Sequence, residues 1–361
     1  MEKQSSRQFL RRTFLFVSLF FLILPALAAA QSSAALIPSP KPADVAVEWK
    51  QLTGIYKLAE TSLVVLERDG QLYIDEEKKE EWRISGSSQG GWKVLRASGE
   101  GPEALVAQRG ADGDVTAITL GSKRYTRADA GSDPAQFYHV TLKRPIEDLR
   151  AEALRARPPE ESRAFRKSEL VELTALDAAF HLDTRYAQSN NFLSTPVYSQ
   201  ARAFMQRPAA EALVRALHKL QPLGYGLVIH DAYRPWYVTK IFWDATPVEG
   251  HSFVADPKKG SKHNRGCAVD ITLYDLATGQ GIEMPGLYDE MSPRSFPNFP
   301  GGTSLQRWHR DLLRRAIESE GFTVDGNEWW HFDYKDWKEY PILNVPFEKL
   351  GALAAGGIAQ D

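Results

Sequence analysis

Two stretches of the chain carry the residue types for metal-assisted hydrolysis. In Ser261-Lys262-His263-Asn264-Arg265-Gly266-Cys267-Ala268-Val269-Asp270 an imidazole precedes a carboxylate by seven positions. Asp270 then opens the apolar run Ile271-Thr272-Leu273, which reads as a strand. In Glu328-Trp329-Trp330-His331 a carboxylate precedes a second imidazole by three positions. Two histidines and one carboxylate (His263, His331, Asp270) are the usual set for a catalytic zinc, with the fourth position left to water. A further carboxylate beside that water, Glu328, could act as general base and then as general acid. Each histidine taken alone is as ordinary as any hydrogen-bonded core or surface residue; the combination is what points to chemistry. Gly266 suits a chain that must turn sharply to bring Asp270 back to the metal. Side chains three apart on a flat strand point to opposite faces. Glu328 must therefore precede the regular strand or sit at a bulge, and Gly326-Asn327 supply an irregular entry.

The order Ser-x-His-x-x-Gly-x-Ala-x-Asp, followed by Glu-Trp-Trp-His, resembles the signature of the zinc D-alanyl-D-alanine dipeptidases of the vancomycin-resistance type. Their wider group includes the D,D-carboxypeptidases of cell-wall metabolism. The likeness runs from about Phe180 to about Pro346 and takes in Asp231-Ala232-Tyr233-Arg234-Pro235, Leu273-Tyr274 and Tyr288-Asp289-Glu290-Met291. The resemblance implies one zinc per chain on His263, Asp270 and His331, with Glu328 passing a proton from water to the leaving amine. It implies that Arg234, in Tyr-Arg-Pro, steadies the oxyanion of the tetrahedral intermediate. The residues themselves leave open a plain ion pair between Arg234 and Asp231. Asp289 matches the family position that grips the free ammonium of a dipeptide, and Ser261 and Tyr186 are candidates for the same pocket. Cys267 stands where the family holds a small residue and reads as a packing residue, not a ligand. Hydrolysis of D-alanyl-D-alanine is the implied function. Two alternatives stand beside it: a D,D-carboxypeptidase acting on peptidoglycan stem peptides, and a non-catalytic zinc-containing module that binds wall peptides.

The elements that must position these residues occupy the second half of a chain of 361 residues, long enough for more than one core. Leu213, Val214, Leu217 and Leu220 repeat along one face of a helix that opens at Pro208. Gly226 to His230 reads as a buried strand leading into Tyr233-Arg234-Pro235, and a helix is expected from Pro235 to Asp244. A third helix spans Ser304 to Glu320, with Gly321 as its cap. Phe322 to Val324 and Trp329 to Phe332 read as strands. The class is α+β: a zinc peptidase domain at 168–348, with a small antiparallel sheet flanked by helices.

A different texture precedes it. Short β-rich runs with turn pairs such as Asp69-Gly70 and Asp112-Gly113 predict a small all-β domain at 46–127, a half-barrel or barrel. A connector at 128–167 carries a short helix from Ile146 to Arg157, and a Pro-spaced linker is expected at 31–45. Lys3, Arg7, Arg11 and Arg12, the apolar stretch Phe14 to Leu24 and the small residues up to Ala30 read as a signal peptide at 1–30. The protein is thus expected to be exported, periplasmic or secreted, without stable membrane insertion after cleavage. Residues 349–361 read as a flexible tail. A net charge of −2 argues against nucleic acid as a partner, and a single cysteine excludes an internal disulfide. The expected partner is a small dipeptide or a cell-wall peptide.

Overall fold

The computed structural model describes residues 33–76, 80–96, 98–99, 101–131 and 139–350. The expected signal peptide and residues 351–361 of the expected tail lie outside the described residues, while Lys349 and Leu350, expected in that tail, end a short helix Phe347–Leu350 in which Leu350 is buried. A short helix α1 (Val47–Leu52) leads into eight strands: β1 (Gly54–Leu58), β2 (Thr61–Arg68), β3 (Gln71–Glu76), β4 (Glu80–Ser87), β5 (Gly91–Leu95), β6 (Glu103–Arg109), β7 (Val115–Leu120) and β8 (Lys123–Arg127). Consecutive strands pair antiparallel, and β8 returns to β1 through Tyr56–Arg127 and Lys57–Thr126, so the barrel is closed. Period-2 alternation decides which side chains go inward. Trp92 and Val94 of β5 are buried while Lys93 between them is exposed. Tyr56, Trp82, Trp92 and Ile118 help fill the interior, as expected for a barrel of this strand number. Asp69 and Gly70 both have positive φ, 51° and 76°, the requirement of the tight hairpin turn between β2 and β3. The charged strand β4 had little β-rich signal, since only Trp82 and Ile84 face inward among Glu81, Arg83 and Ser85.

After the helix α2 (Ile146–Arg155), the second half contains strands β9 (Leu170–Glu172), β10 (His181–Leu182), β11 (Phe204–Gln206), β12 (Tyr225–Asp231), β13 (Ala268–Asp275), β14 (Phe322–Val324) and β15 (His331–Tyr334). Its longer helices are α3 (Arg207–Leu220), α4 (Trp236–Ala245) and α5 (Ser304–Glu318). The main sheet has the order β10-β12-β13-β15-β14, and β9 pairs with β11 separately. The sheet is mixed and not purely antiparallel. β10 runs parallel to β12, because the long excursion through β11 and α3 supplies the crossover that a parallel pair requires. Helices α3 and α5 bury Leu213, Leu217, Leu312 and Leu313 against Leu227, Ile271 and Phe332 of the sheet. Thr303 and Gln306 close a reciprocal capping box at the start of α5. The last strand begins at His331, two residues later than the sequence pattern suggests. Trp329 and Trp330 are buried in the turn before it, and the Trp330 carbonyl accepts from Ile271 N–H.

The two halves are joined by buried polar contacts. Glu67, 2 % exposed, accepts from Ser304 N–H (2.6 Å) at the positive end of α5, and its own N–H donates to the Gly302 carbonyl. The segment expected as a linker lies along α5, where Trp308 Nε1 donates to the Ser39 carbonyl and Lys41 Nζ to the Tyr225 hydroxyl.

Gly266 sets the approach to the candidate ligands. Its φ is +67°, and a Cβ there would lie 2.5 Å from Leu170 Cδ2 and 3.3 Å from the Gln206 nitrogen. Gly266→Ala should therefore lower folding stability by about 1–3 kcal/mol, the cost of a strained backbone position. Chemical denaturation measures this, and an unchanged midpoint would contradict it.

Candidate metal centre

The three predicted ligands reach one point from two local structures. Asp270 and His331 are direct cross-strand partners of β13 and β15, so the sheet register itself places their side chains side by side. His263 comes from a single 3-10 turn, His263–Arg265, which the left-handed Gly266 ends. Backbone bonds from Arg234 N–H to the His263 carbonyl and from Gln206 N–H to the Gly266 carbonyl hold that turn. Asn264, fully buried, donates to the Arg234 carbonyl and to Thr239 Oγ1.

The facing atoms are His263 Nε2, His331 Nδ1 and Asp270 Oδ1, separated by 3.1, 3.0 and 3.4 Å. Ligand atoms at the zinc distances of about 2.0–2.1 Å lie about 3.3–3.4 Å apart around a tetrahedral ion. The opposite side of each ligand is already committed. His263 Nδ1 donates to the Ala232 carbonyl (2.7 Å) and His331 Nε2 to Asp333 Oδ1 (3.0 Å). The Tyr288 hydroxyl donates to Asp270 Oδ2 (3.1 Å). In the neutral imidazoles these bonds fix the protons on the outer nitrogens, which leaves bare lone pairs on the inner ones. Three acceptors thus converge with no hydrogen between them, a donor set that suits a metal cation. Burial opposes ionisation here, yet the two imidazoles hold Asp270 well below the usual carboxylate range. Burial likewise opposes a charged His331, but with no metal among the three atoms Asp270 and Asp333 hold it well above the usual imidazole value, so that a proton on Nδ1 fills the place a metal cation would take.

All eight predicted site residues line one cavity of about 570 Å³: His263, Asp270, His331, Glu328, Arg234, Asp289, Ser261 and Tyr186. A larger cavity between barrel and sheet, about 740 Å³, contains none of them. Glu328 lies in the turn before β15, with Oε2 3.8 Å from His331 Nδ1, the irregular position that its spacing demands. Its carboxyl is pushed up to about 8, by burial first and then by Asp270 and Asp289, against the opposing pull of His331. A proton is thus easily held there near neutral pH.

Arg234 makes both of its expected contacts possible. Asp231 Oδ2 accepts from Nε (2.9 Å) and Nη2 (2.7 Å), the ion pair that the residues alone suggest. Nη1 has no protein acceptor among the described residues, and the guanidinium lies over the rings of Tyr186 and Phe242. Asp289 has the left-handed φ of 60° and accepts from the Tyr186 hydroxyl (3.0 Å). Burial and the charge of Asp270 push it up to about 7, while Tyr186 and Arg234 pull the other way. Such a carboxyl gains from a bound cation. Ser261 reaches the cavity, but its hydroxyl accepts from His263 N–H (3.2 Å) and so belongs to the turn. Cys267 is fully buried and points to no ligand role.

Asp231 holds Arg234, as the sequence suggests. Three supporting contacts escaped sequence reasoning: Asp333 holds His331, Tyr288 holds Asp270, and the Ala232 carbonyl holds His263. Asp333 had a usable signal: it follows His331 by two on a strand, which puts both on one face.

Comparison with known proteins agrees with this geometry. Residues 166–348 match the family described as D-ala-D-ala dipeptidase. A D-alanyl-D-alanine dipeptidase of Escherichia coli is 34% identical over 180 residues, which cover 50% of this chain and 92% of that protein. The enzyme of that name from Enterococcus faecium is 32% identical, with 47% and 95% covered. One from Streptomyces coelicolor is 32% identical, with 43% and 85% covered. The matched segment holds all eight predicted site residues, and the chain belongs to the D-ala-D-ala dipeptidase family of peptidases.

Proposed function

We propose that the protein hydrolyses D-alanyl-D-alanine to two D-alanines with one zinc ion held by His263, Asp270 and His331. The observation that carries this reading is the convergence of three acceptors, a half-buried glutamate and a half-buried aspartate backed by the buried Tyr186 on one cavity. Zinc, when bound, polarises a carbonyl and lowers the pKa of a coordinated water to around 7. Glu328 takes a proton from the attacking water and returns it to the departing amine, a role that its raised pKa supports. Arg234, locked in place by Asp231, directs its free Nη1 at the developing oxyanion. Asp289, backed by Tyr186, pairs with the free ammonium of the dipeptide. The basic and then apolar start of the chain supports an exported enzyme working on wall-derived dipeptide.

Removing the support behind His331 should weaken the metal without touching a ligand. Asp333→Ala is expected to lower zinc affinity by about 10–100-fold, read by competition with a chelating dye. Affinity equal to the wild type would show that His331 needs no such partner.

Glu328→Ala should retain zinc and fold but lose roughly 10²–10⁴-fold in turnover. Near-normal turnover with intact metal would place the base elsewhere, and zinc binding without turnover in the wild type would favour the non-catalytic module.

N-acetylation of the dipeptide removes the charge opposite Asp289. Losing a charged partner at this half-buried carboxyl costs about 1.5–3 kcal/mol, roughly 10–150-fold in kcat/KM. Asp289→Asn should narrow the gap between the two substrates by slowing the free one. If the wild type cleaves the acetylated dipeptide as well as the free one, the D,D-carboxypeptidase reading replaces this one.

A further inference from the structure

The wall that presents Asp289 is the loop 285–295, whose only regular element is the single turn Pro293–Ser295. One side chain closes it. Arg294 Nε donates to the Pro285 carbonyl (2.8 Å), tying the end of the loop to its start, and lies 3.5 Å from Glu290 Oε2. Glu290 is itself buried and accepts from Leu287 N–H (2.8 Å) and the Ser292 hydroxyl (2.6 Å). The two limbs touch at Gly286, where a Cβ would meet the Arg294 carbonyl oxygen at 2.6 Å.

Arg294 is held in turn by residues that follow the barrel. Nη1 donates to Asp129 Oδ1 (3.1 Å) and to the Gly131 carbonyl (2.9 Å). The Asp129 side chain is fully buried. It also accepts from Arg127 Nε (2.8 Å), Gly131 N–H (2.9 Å) and Ile55 N–H of the first barrel strand. Four donors therefore converge on one carboxylate, which lies outside the family match at 166–348.

We propose that Asp129 is a positioning residue for the amine end of the active site: through Arg294 it fixes the 285–295 loop, so that Asp289 keeps its left-handed backbone beside the cavity. The proposal rests on the reading of Asp289 as the ammonium partner. A contact that only glued barrel to sheet could fall anywhere on the surface. This one reaches the residue that closes the loop, and an error of 1 Å in a positioned group can reduce rate or binding about 10²-fold.

The test is steady-state kinetics of the full chain on free and N-acetylated D-Ala-D-Ala. Asp129→Asn keeps the volume, removes the charge and turns an amide donor toward other donors. KM for the free dipeptide should rise about tenfold or more, with kcat within about twofold, and the preference for free over acetylated substrate should shrink in proportion. Zinc content should not change. A carboxylate that merely joined the two halves would lower the fraction of active enzyme, and hence apparent kcat, while KM and the preference stayed put; that result overturns the proposal. Should Asp129→Asn not fold, Arg294→Lys carries the same test, because one ammonium cannot span Pro285, Asp129 and Gly131. The same rise in KM is expected there, and an unchanged KM overturns the proposal. A wild type with no preference for the free dipeptide is a separate result, which removes the ammonium reading and this inference with it.

Discussion

A carboxylate oxygen and two imidazole nitrogens, turned toward one another at 3.0–3.4 Å, repel unless positive charge sits among them. Holding that arrangement is the task to which the surrounding fold answers. The register of β13 against β15 sets Asp270 opposite His331. A shift in register between Ile229 and Asp231 on β12 places Asp231 opposite Asp270, where it can hold Arg234. Gly266 lets the chain leave the His263 turn in a conformation closed to most residues. Each inner atom faces the others because its outer partner (a carbonyl, a carboxylate or a phenol) has taken the alternative.

The barrel enters this arrangement from outside. The relatives align over about half of this chain and nearly all of their own length, so the peptidase half is the shared part. The barrel interior is filled by its own side chains, and its ties to the second half include two buried carboxylates: Glu67 at the head of α5 and Asp129 on Arg294. Both bring a carboxylate to a place that is already positive, a helix start and a guanidinium. Such contacts fix orientation as well as adhesion.

The chemistry was legible in the sequence where it depended on short spacing. His263, Gly266 and Asp270 share one turn and one strand, and the three-residue gap between Glu328 and His331 forbids a flat strand, which the turn before β15 respects. The barrel was legible from alternation in most strands but faint in β4, where inward Trp82 and Ile84 are outnumbered by charge. The parallel edge strand β10 has only two residues and no pattern of its own, so nothing local could set its direction. Asp129 and Arg294 are 165 positions apart, and neither lies in a run that suggests a partner. Long-range ion pairs leave no periodic trace; short-range geometry does.

Closure of the barrel has a consequence for the order in which the chain can acquire structure. Every strand ladder from β1 to β8 finds its partner within residues 54–127, and the final pairing, Tyr56 with Arg127, seals the ring. A ring of strands offers no open edge to a neighbouring chain. During synthesis the first half can therefore close its strand ladders before His263 or His331 has been added, without exposing a template for misassembly. The peptidase sheet has no such independence, since β10, β12, β13, β14 and β15 come from residues 181–334 and must wait for one another. The slow, non-local step of folding thus falls on the half that carries the candidate ligands.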